Sequence, residues 1–159
     1  IVALAESRNE SPFIVVCDSL EDPHNLGAIL RSAEAAGVHG VIIPKRNSVT
    51  LNYTVAKTSA GAIEYVPVVK VANLPAAIDE LKSRGVWIFG ADMDGTDYTA
   101  LDYSGSIALV IGSEGKGIGR LVREKCDFIA SLPMRGKINS LNASVAAGIL
   151  MFEAAKHRN

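Results

Sequence analysis

Six short runs rich in Val and Ile, separated by stretches of helical spacing, constrain this chain more than any other feature. They are Phe13–Cys17, Gly40–Pro44, Tyr65–Val69, Val86–Ala91, Ile107–Ile111 and Phe128–Leu132. Each is apolar almost throughout instead of alternating, which is the pattern of strands covered by helices on both sheet faces. Strand and helix patterns in alternation predict an α/β domain around a mainly parallel sheet. The helices fall at Asn25–Ala36, Tyr53–Thr58, Leu74–Ser83, Ile118–Lys125 and Asn142–His157. Leu26, Ile29, Leu30 and Ala33 form one stripe of the first, with Gly37 as its stop. In the last helix Val145, Ile149 and Phe152 recur at helical spacing and are read as core-facing.

A length of 159 residues suits one domain with a real core, and 48% hydrophobic with 21% charged residues is the composition of a folded chain. No apolar run approaches the roughly 20 residues that span a bilayer. The start lacks the basic region, apolar core and cleavage site of a secretory signal, so a cytoplasmic setting is expected. Cys17 and Cys126 fit no Cys-x-x-Cys pattern, and His24, His39 and His157 fit no zinc spacing, so no metal is expected. Residues 1–12 include the polar run Glu6 to Ser11 and read as the remnant of a linker, with the domain proper at 13–159.

The net charge of −1 conceals an asymmetry. Residues 1–115 carry 8 Lys/Arg against 14 Asp/Glu, whereas residues 116–159 carry 8 against 3. Such a basic segment is either a solvated face or a surface for a polyanion.

Three segments ask for a function. The first, Asp18 to Arg31, follows a strand, where open α/β sheets place ligands. Asn25 is suited to cap the helix that begins there, and a capped helix with one exposed Arg31 is the plain alternative. The second runs from the strand ending at Ile111 into Gly112-Ser-Glu-Gly-Lys-Gly-Ile-Gly119. It lacks the phosphate-loop and dinucleotide glycine patterns, and the carboxylate of Glu114 would repel a phosphate. A neutral or cationic ligand suits it better, and a simple glycine-rich turn stays open. The third, Ser131 to Ala146, crowds Ser140, Asn142 and Ser144 at the start of a helix, where one capping residue would suffice.

In order and spacing these segments resemble the three motifs of the SpoU (TrmH-like) family of the SPOUT superfamily. The resemblance runs through Asn25-Leu-Gly-Ala-Ile-Leu-Arg31, Ile111-Gly-Ser-Glu-Gly-Lys-Gly117, and Leu132-Pro-Met with Ser140-Leu-Asn-Ala-Ser-Val-Ala146. It spans about residues 13 to 157 and is similar in particular to the catalytic domains of bacterial 23S rRNA guanosine 2′-O-methyltransferases. It implies a deep C-terminal trefoil knot, which no pattern rule would predict. It also implies S-adenosylmethionine as cofactor, a homodimer, transfer of a methyl group to a ribose 2′-hydroxyl of RNA, and an RNA-binding domain upstream of this one.

Carried over residue by residue, the resemblance implies cofactor contacts from Gly112, Leu132 and Leu141, with Gly90, Ile111, Met134 and Ser140 lining the pocket. It assigns catalysis to Arg31, supported by Asn25, Glu114, Ser140 and Asn142. A guanidinium stays protonated, so Arg31 is expected to bind phosphate or a developing alkoxide rather than remove a proton. Ribosomal RNA is the expected substrate and transfer RNA the near alternative. A noncatalytic RNA- or cofactor-binding module would be marked by loss of Arg31 or Asn25, and both are present.

Overall fold

The computed structural model describes residues 1–45, 51–113 and 116–158. In chain order the elements are α1 (Val2–Ser7), β1 (Phe13–Cys17), α2 (Pro23–Ala36), β2 (Gly40–Pro44), α3 (Tyr53–Thr58), β3 (Val68–Val71), α4 (Leu74–Ser83), β4 (Trp87–Asp97), β5 (Ile107–Ile111), α5 (Arg120–Lys125), β6 (Phe128–Ser131) and α6 (Ala143–Ala155). The strands form one sheet in the order β3-β2-β1-β5-β4-β6, and every pairing is parallel.

Alternate residues of the central strands enter two separate cores, as the strand period of two requires. Phe13, Val15, Cys17, Ile107, Leu109 and Ile111 meet α2, α3 and α6 on one face. Ile14, Val16, Ala108 and Val110 meet α4 and α5 on the other. The all-apolar strand runs thus follow from helices on both faces. Cys17 is fully buried, and burial pushes its thiol up to about 12.

Several boundaries differ from those the sequence suggests. The helix expected from Asn25 begins at Pro23, because Asp22 accepts from His24 N at 2.8 Å and takes the cap. The strand expected at Tyr65–Val69 lies at Val68–Val71, since Tyr65 and Val66 donate back to Ala62 O and close a 3-10 turn. The fourth strand runs past Ala91 to Asp97, rejoining β6 after a bulge between Ala91 and Thr96. The sixth stops at Ser131 rather than Leu132. The fifth helix starts at Arg120, with Gly119 as its cap and Ile118 buried in the second core. The last helix spans Ala143–Ala155, two residues short of His157.

Two readings change more substantially. Ile1–Pro12, taken as a linker remnant, contains α1, with Ala5 fully buried and Ile1 and Val2 packed on the second core. The side of α6 bearing Val145, Ile149 and Phe152 does not face the core. These three are 50%, 36% and 49% exposed, while Ala143, Ala147, Leu150, Met151 and Ala154 are buried. The helix is apolar on both sides, so periodicity found an apolar face but not the one the sheet covers.

Candidate functional site

The carboxyl ends of β4, β5 and β6 open into a cavity of about 400 Å³, within the usual range for a small-molecule site. It lies beside the switch in strand order, where β1 connects outward to β2 while its other neighbour is β5. Its wall draws on three stretches: Ala91 to Met93; Ile111 to Ser113 with Lys116 and Gly117; and residues between Ala130 and Ala146, chiefly Ala130 to Met134 and Asn139 to Leu141.

The second stretch is folded by close backbone approach. A Cβ on Gly112 would lie 2.1 Å from the carbonyl carbon of Gly117, so no side chain fits there. Gly117 takes φ +65, its N–H donates to Ser113 O at 3.0 Å, and Ser113 and Gly117 form an isolated bridge. Asp18, at the end of β1, accepts from Gly119 N at 2.7 Å and ties the turn to the first strand.

The first stretch is held from the opposite side. Asp92 pairs with Arg123 of α5, whose other nitrogen donates to Asp94 O at 3.0 Å. Ser131 Oγ donates to Met93 O at 2.8 Å and joins this stretch to β6.

The third stretch makes the cavity chemically distinctive. Among the described residues, the N–H groups of Leu132 and of residues 134–141 form no hydrogen bond within the protein. The wall therefore combines apolar side chains, Ile111, Leu132, Met134 and Leu141, with main-chain donors and acceptors that have no partner among the described residues. That combination fits a ligand with a flat apolar body and polar edges.

Of the residues the sequence pointed to, Ile111, Gly112, Leu132, Met134, Ser140 and Leu141 all line this cavity. Gly90 does not. A Cβ there would meet Cys126, Ile118 and Ile129 on the α5 side of the sheet, and Ala91 is the first lining residue of its strand. Asn142 caps α6 by accepting from Ser144 N at 2.9 Å, and its Nδ2 donates to Asn25 Oδ1 at 3.1 Å. Arg31 lies six residues further along α2, exposed, outside the cavity wall and without an ion pair among the described residues. Glu114 lies outside the described residues.

Sequence reasoning missed Asp92, Met93, Lys116 and Asn139 as wall residues. For Asp92 the signal was a polar Asp-Met-Asp-Gly run straight after a buried strand. Among the described residues no group of three or more His, Cys, Asp or Glu could hold a metal, and no helix is long and apolar enough to cross a membrane.

The fold and cavity define a parallel α/β ligand-binding domain with its site at the strand ends, and the comparisons place it within that class. The SpoU rRNA Methylase family model matches residues 12–152, and the chain belongs to this family. A Bacillus subtilis protein assigned to the TrmH family of tRNA/rRNA methyltransferases is 57% identical over 156 residues, covering 98% of this chain and 63% of that protein. A Staphylococcus aureus protein of the same family is 58% identical over 147 residues, 92% of this chain and 59% of its own.

Among solved structures, the SpoU methyltransferase AviRb of Streptomyces viridochromogenes in complex with AdoMet superposes with a TM-score of 0.85 at 30% identity, over 92% of this chain and 58% of that one. An AdoMet-bound rRNA methyltransferase of Sinorhizobium meliloti gives 0.85 at 31%, over 92% and 56%. A TrmH/SpoU tRNA modifying enzyme of A. aeolicus gives 0.84 at 29%, over 93% and 76%. The chain spans about three fifths of the length of the curated relatives it matches.

The Gly112–Gly117 approach has a direct test. Gly112→Ala must force the turn open and should destabilise the chain by about 1–3 kcal/mol in urea unfolding, as overpacked sites do. Gly136→Ala, with nothing within 4 Å of its Cβ, should stay within about 0.5 kcal/mol. Equal stability of the two variants would show that the turn is not held by this contact.

Proposed function

We propose that this chain is the methyl-transferring domain of an S-adenosylmethionine-dependent RNA ribose 2′-O-methyltransferase, acting in the cytoplasm on a guanosine of 23S ribosomal RNA. The observation that carries the reading is the cavity at the strand ends, walled by main-chain groups without internal partners, in a chain of the SpoU methylase family. Transfer RNA is the second reading, favoured by the likeness to the A. aeolicus tRNA modifying enzyme.

The residues present fit the cofactor. Main-chain groups of Gly112, Leu132 and Leu141 would hold it, with Ile111, Met134 and Ser140 beside them in the wall. When bound, S-adenosylmethionine supplies an electrophilic methyl group on a sulfonium. What the chain adds is position and charge. Orientation of two reactants is itself a large part of a transfer rate. The Asn25–Asn142 hydrogen bond fixes the starts of α2 and α6 against each other at the site. Arg31, exposed and outside the wall, takes the RNA side, where its permanent charge binds phosphate or steadies a developing alkoxide. Ser140, in the cavity wall, and Glu114, by its place in the second motif, would support the transfer.

The exposed Val145, Ile149 and Phe152 of α6 form an apolar face that a second copy of the chain would cover. The C-terminal trefoil knot that the family resemblance implies would lie in the connection from the edge strand β6 to α6, which packs on the face that carries α2.

Calorimetry should show one S-adenosylmethionine site per chain with equal affinity before and after chelator treatment. A folded chain that does not bind it, or binds only without chelator, would overturn the cofactor reading. Arg31→Ala should lower the rate of methyl transfer to 23S rRNA by at least about a hundredfold, the order of one lost electrostatic contact in the transition state. Its cofactor affinity should stay within twofold of the parent, and a variant that keeps most of its rate would remove Arg31 from the mechanism. Sedimentation at micromolar concentration should give a dimer that Val145→Asp with Phe152→Asp converts to monomer; a parent that is monomeric throughout would exclude the interface.

A further inference from the structure

The charge asymmetry of the sequence resolves into a pattern once side-chain partners are known. Of the eight cations between 116 and 159, five are committed. Arg123 pairs with Asp92, Lys125 with Asp79, Lys156 with Glu153 and Arg120 with Glu124. Arg158 donates to the carbonyls of Gly105 and Ser11 and lies 4.8 Å over the Phe13 ring. The remaining three, Lys116, Arg135 and Lys137, are exposed and have no ion pair among the described residues.

These three share one place in the fold. Lys116 stands in the cavity wall on the glycine-turn side. Met134 and Asn139 line the cavity too, and the residues between them are exposed and outside the lining, so Arg135 and Lys137 lie on a loop that leaves the wall and returns to it. Uncommitted cations therefore stand in the wall and on the loop bordering it. A cavity meant only for a small ligand has no use for cations held away from its wall, whereas a polyanion entering at the mouth does.

We infer that Lys116, Arg135 and Lys137 form a clamp at the cavity mouth that grips phosphates of a single-stranded stretch of the RNA substrate, on either side of the nucleotide presented to the cavity. This rests on the RNA reading above and adds which side chains hold the strand. A splayed nucleotide in a loop or single strand can bring its ribose to a recessed site, which one stacked in a helix cannot do readily. Each phosphate contact releases condensed counterions, so the clamp has a signature in salt dependence that a structural role lacks.

The test is equilibrium binding of a fluorescent single-stranded RNA of mixed sequence to this chain, across a salt series of about 50 to 200 mM. The slope of log affinity against log salt should shrink by about 0.7 for each of Lys116→Ala, Arg135→Ala and Lys137→Ala, and by about 2 for the triple variant. Lys70→Ala, on the edge strand β3 and equally exposed, should leave the slope unchanged. S-adenosylmethionine affinity of the Arg135→Ala/Lys137→Ala variant should equal the parent's, which also certifies its folding. An unchanged slope in the triple variant, or an equal loss from Lys70→Ala, would overturn the clamp and leave the RNA reading standing. A parent that binds S-adenosylmethionine but no RNA would overturn both.

Discussion

A main-chain N–H or C=O that is buried without a partner costs about 1–3 kcal/mol, so backbone that escapes secondary structure must face water or a ligand. Residues 132–141 are such backbone, placed at the one edge where β4, β5 and β6 end together. Their position follows from the sheet. Parallel pairing sends every strand's carboxyl end to the same side, and the two cores fix β5 between β1 and β4. The glycine turn can lie against that edge only because Gly112 has no Cβ to strike Gly117. The cavity is thus the consequence of a register, a missing side chain and a loop that cannot satisfy itself.

Electrostatics then divide the basic segment between fold and function. Exposed ion pairs such as Arg120–Glu124 are worth little to stability. The half-buried ones matter more for what they hold. Arg123 joins α5 to the polar extension of β4 through both Asp92 and the Asp94 carbonyl. Arg158 joins the end of the chain to the carbonyls before β1 and β5, and burial lowers its pKa from the usual guanidinium value. What is left over lies around the cavity mouth.

The sheet was legible in the sequence because strands covered on both faces must be apolar almost throughout, and all six runs are strands or overlap them. Its edges were less so. Tyr65 and Val66 have strand-like side chains but are held in a 3-10 turn by hydrogen bonds to Ala62, which no side-chain pattern reveals. In α6 the apolar residues surround the helix, so spacing alone could not say which face the sheet covers. Among the cavity residues, those within glycine and Asn/Ser motifs were legible through resemblance. Asp92 was not, because nothing in its Asp-Met-Asp-Gly run says that these residues bulge out of the ladder between Ala91 and Thr96 and enter the wall.

The two asparagines show how a local misreading conceals a tertiary role. Asn25 was read as the cap of α2, but Asp22 followed by Pro23 starts that helix three residues earlier and leaves the Asn25 amide free within the first turn. Asn142 does cap its helix, with Oδ1 accepting from Ser144 N and Val145 N, and this fixes the direction in which its Nδ2 must point. That direction meets Asn25 Oδ1, 117 residues away in sequence. An aspartate at 142 could supply the same cap but has no donor, and would keep the coupling only if the Asn25 amide turned over to present its Nδ2. With Asn25 oriented as it is, the amide of Asn142 both starts α6 and couples it to α2, so one side chain serves two helices at once.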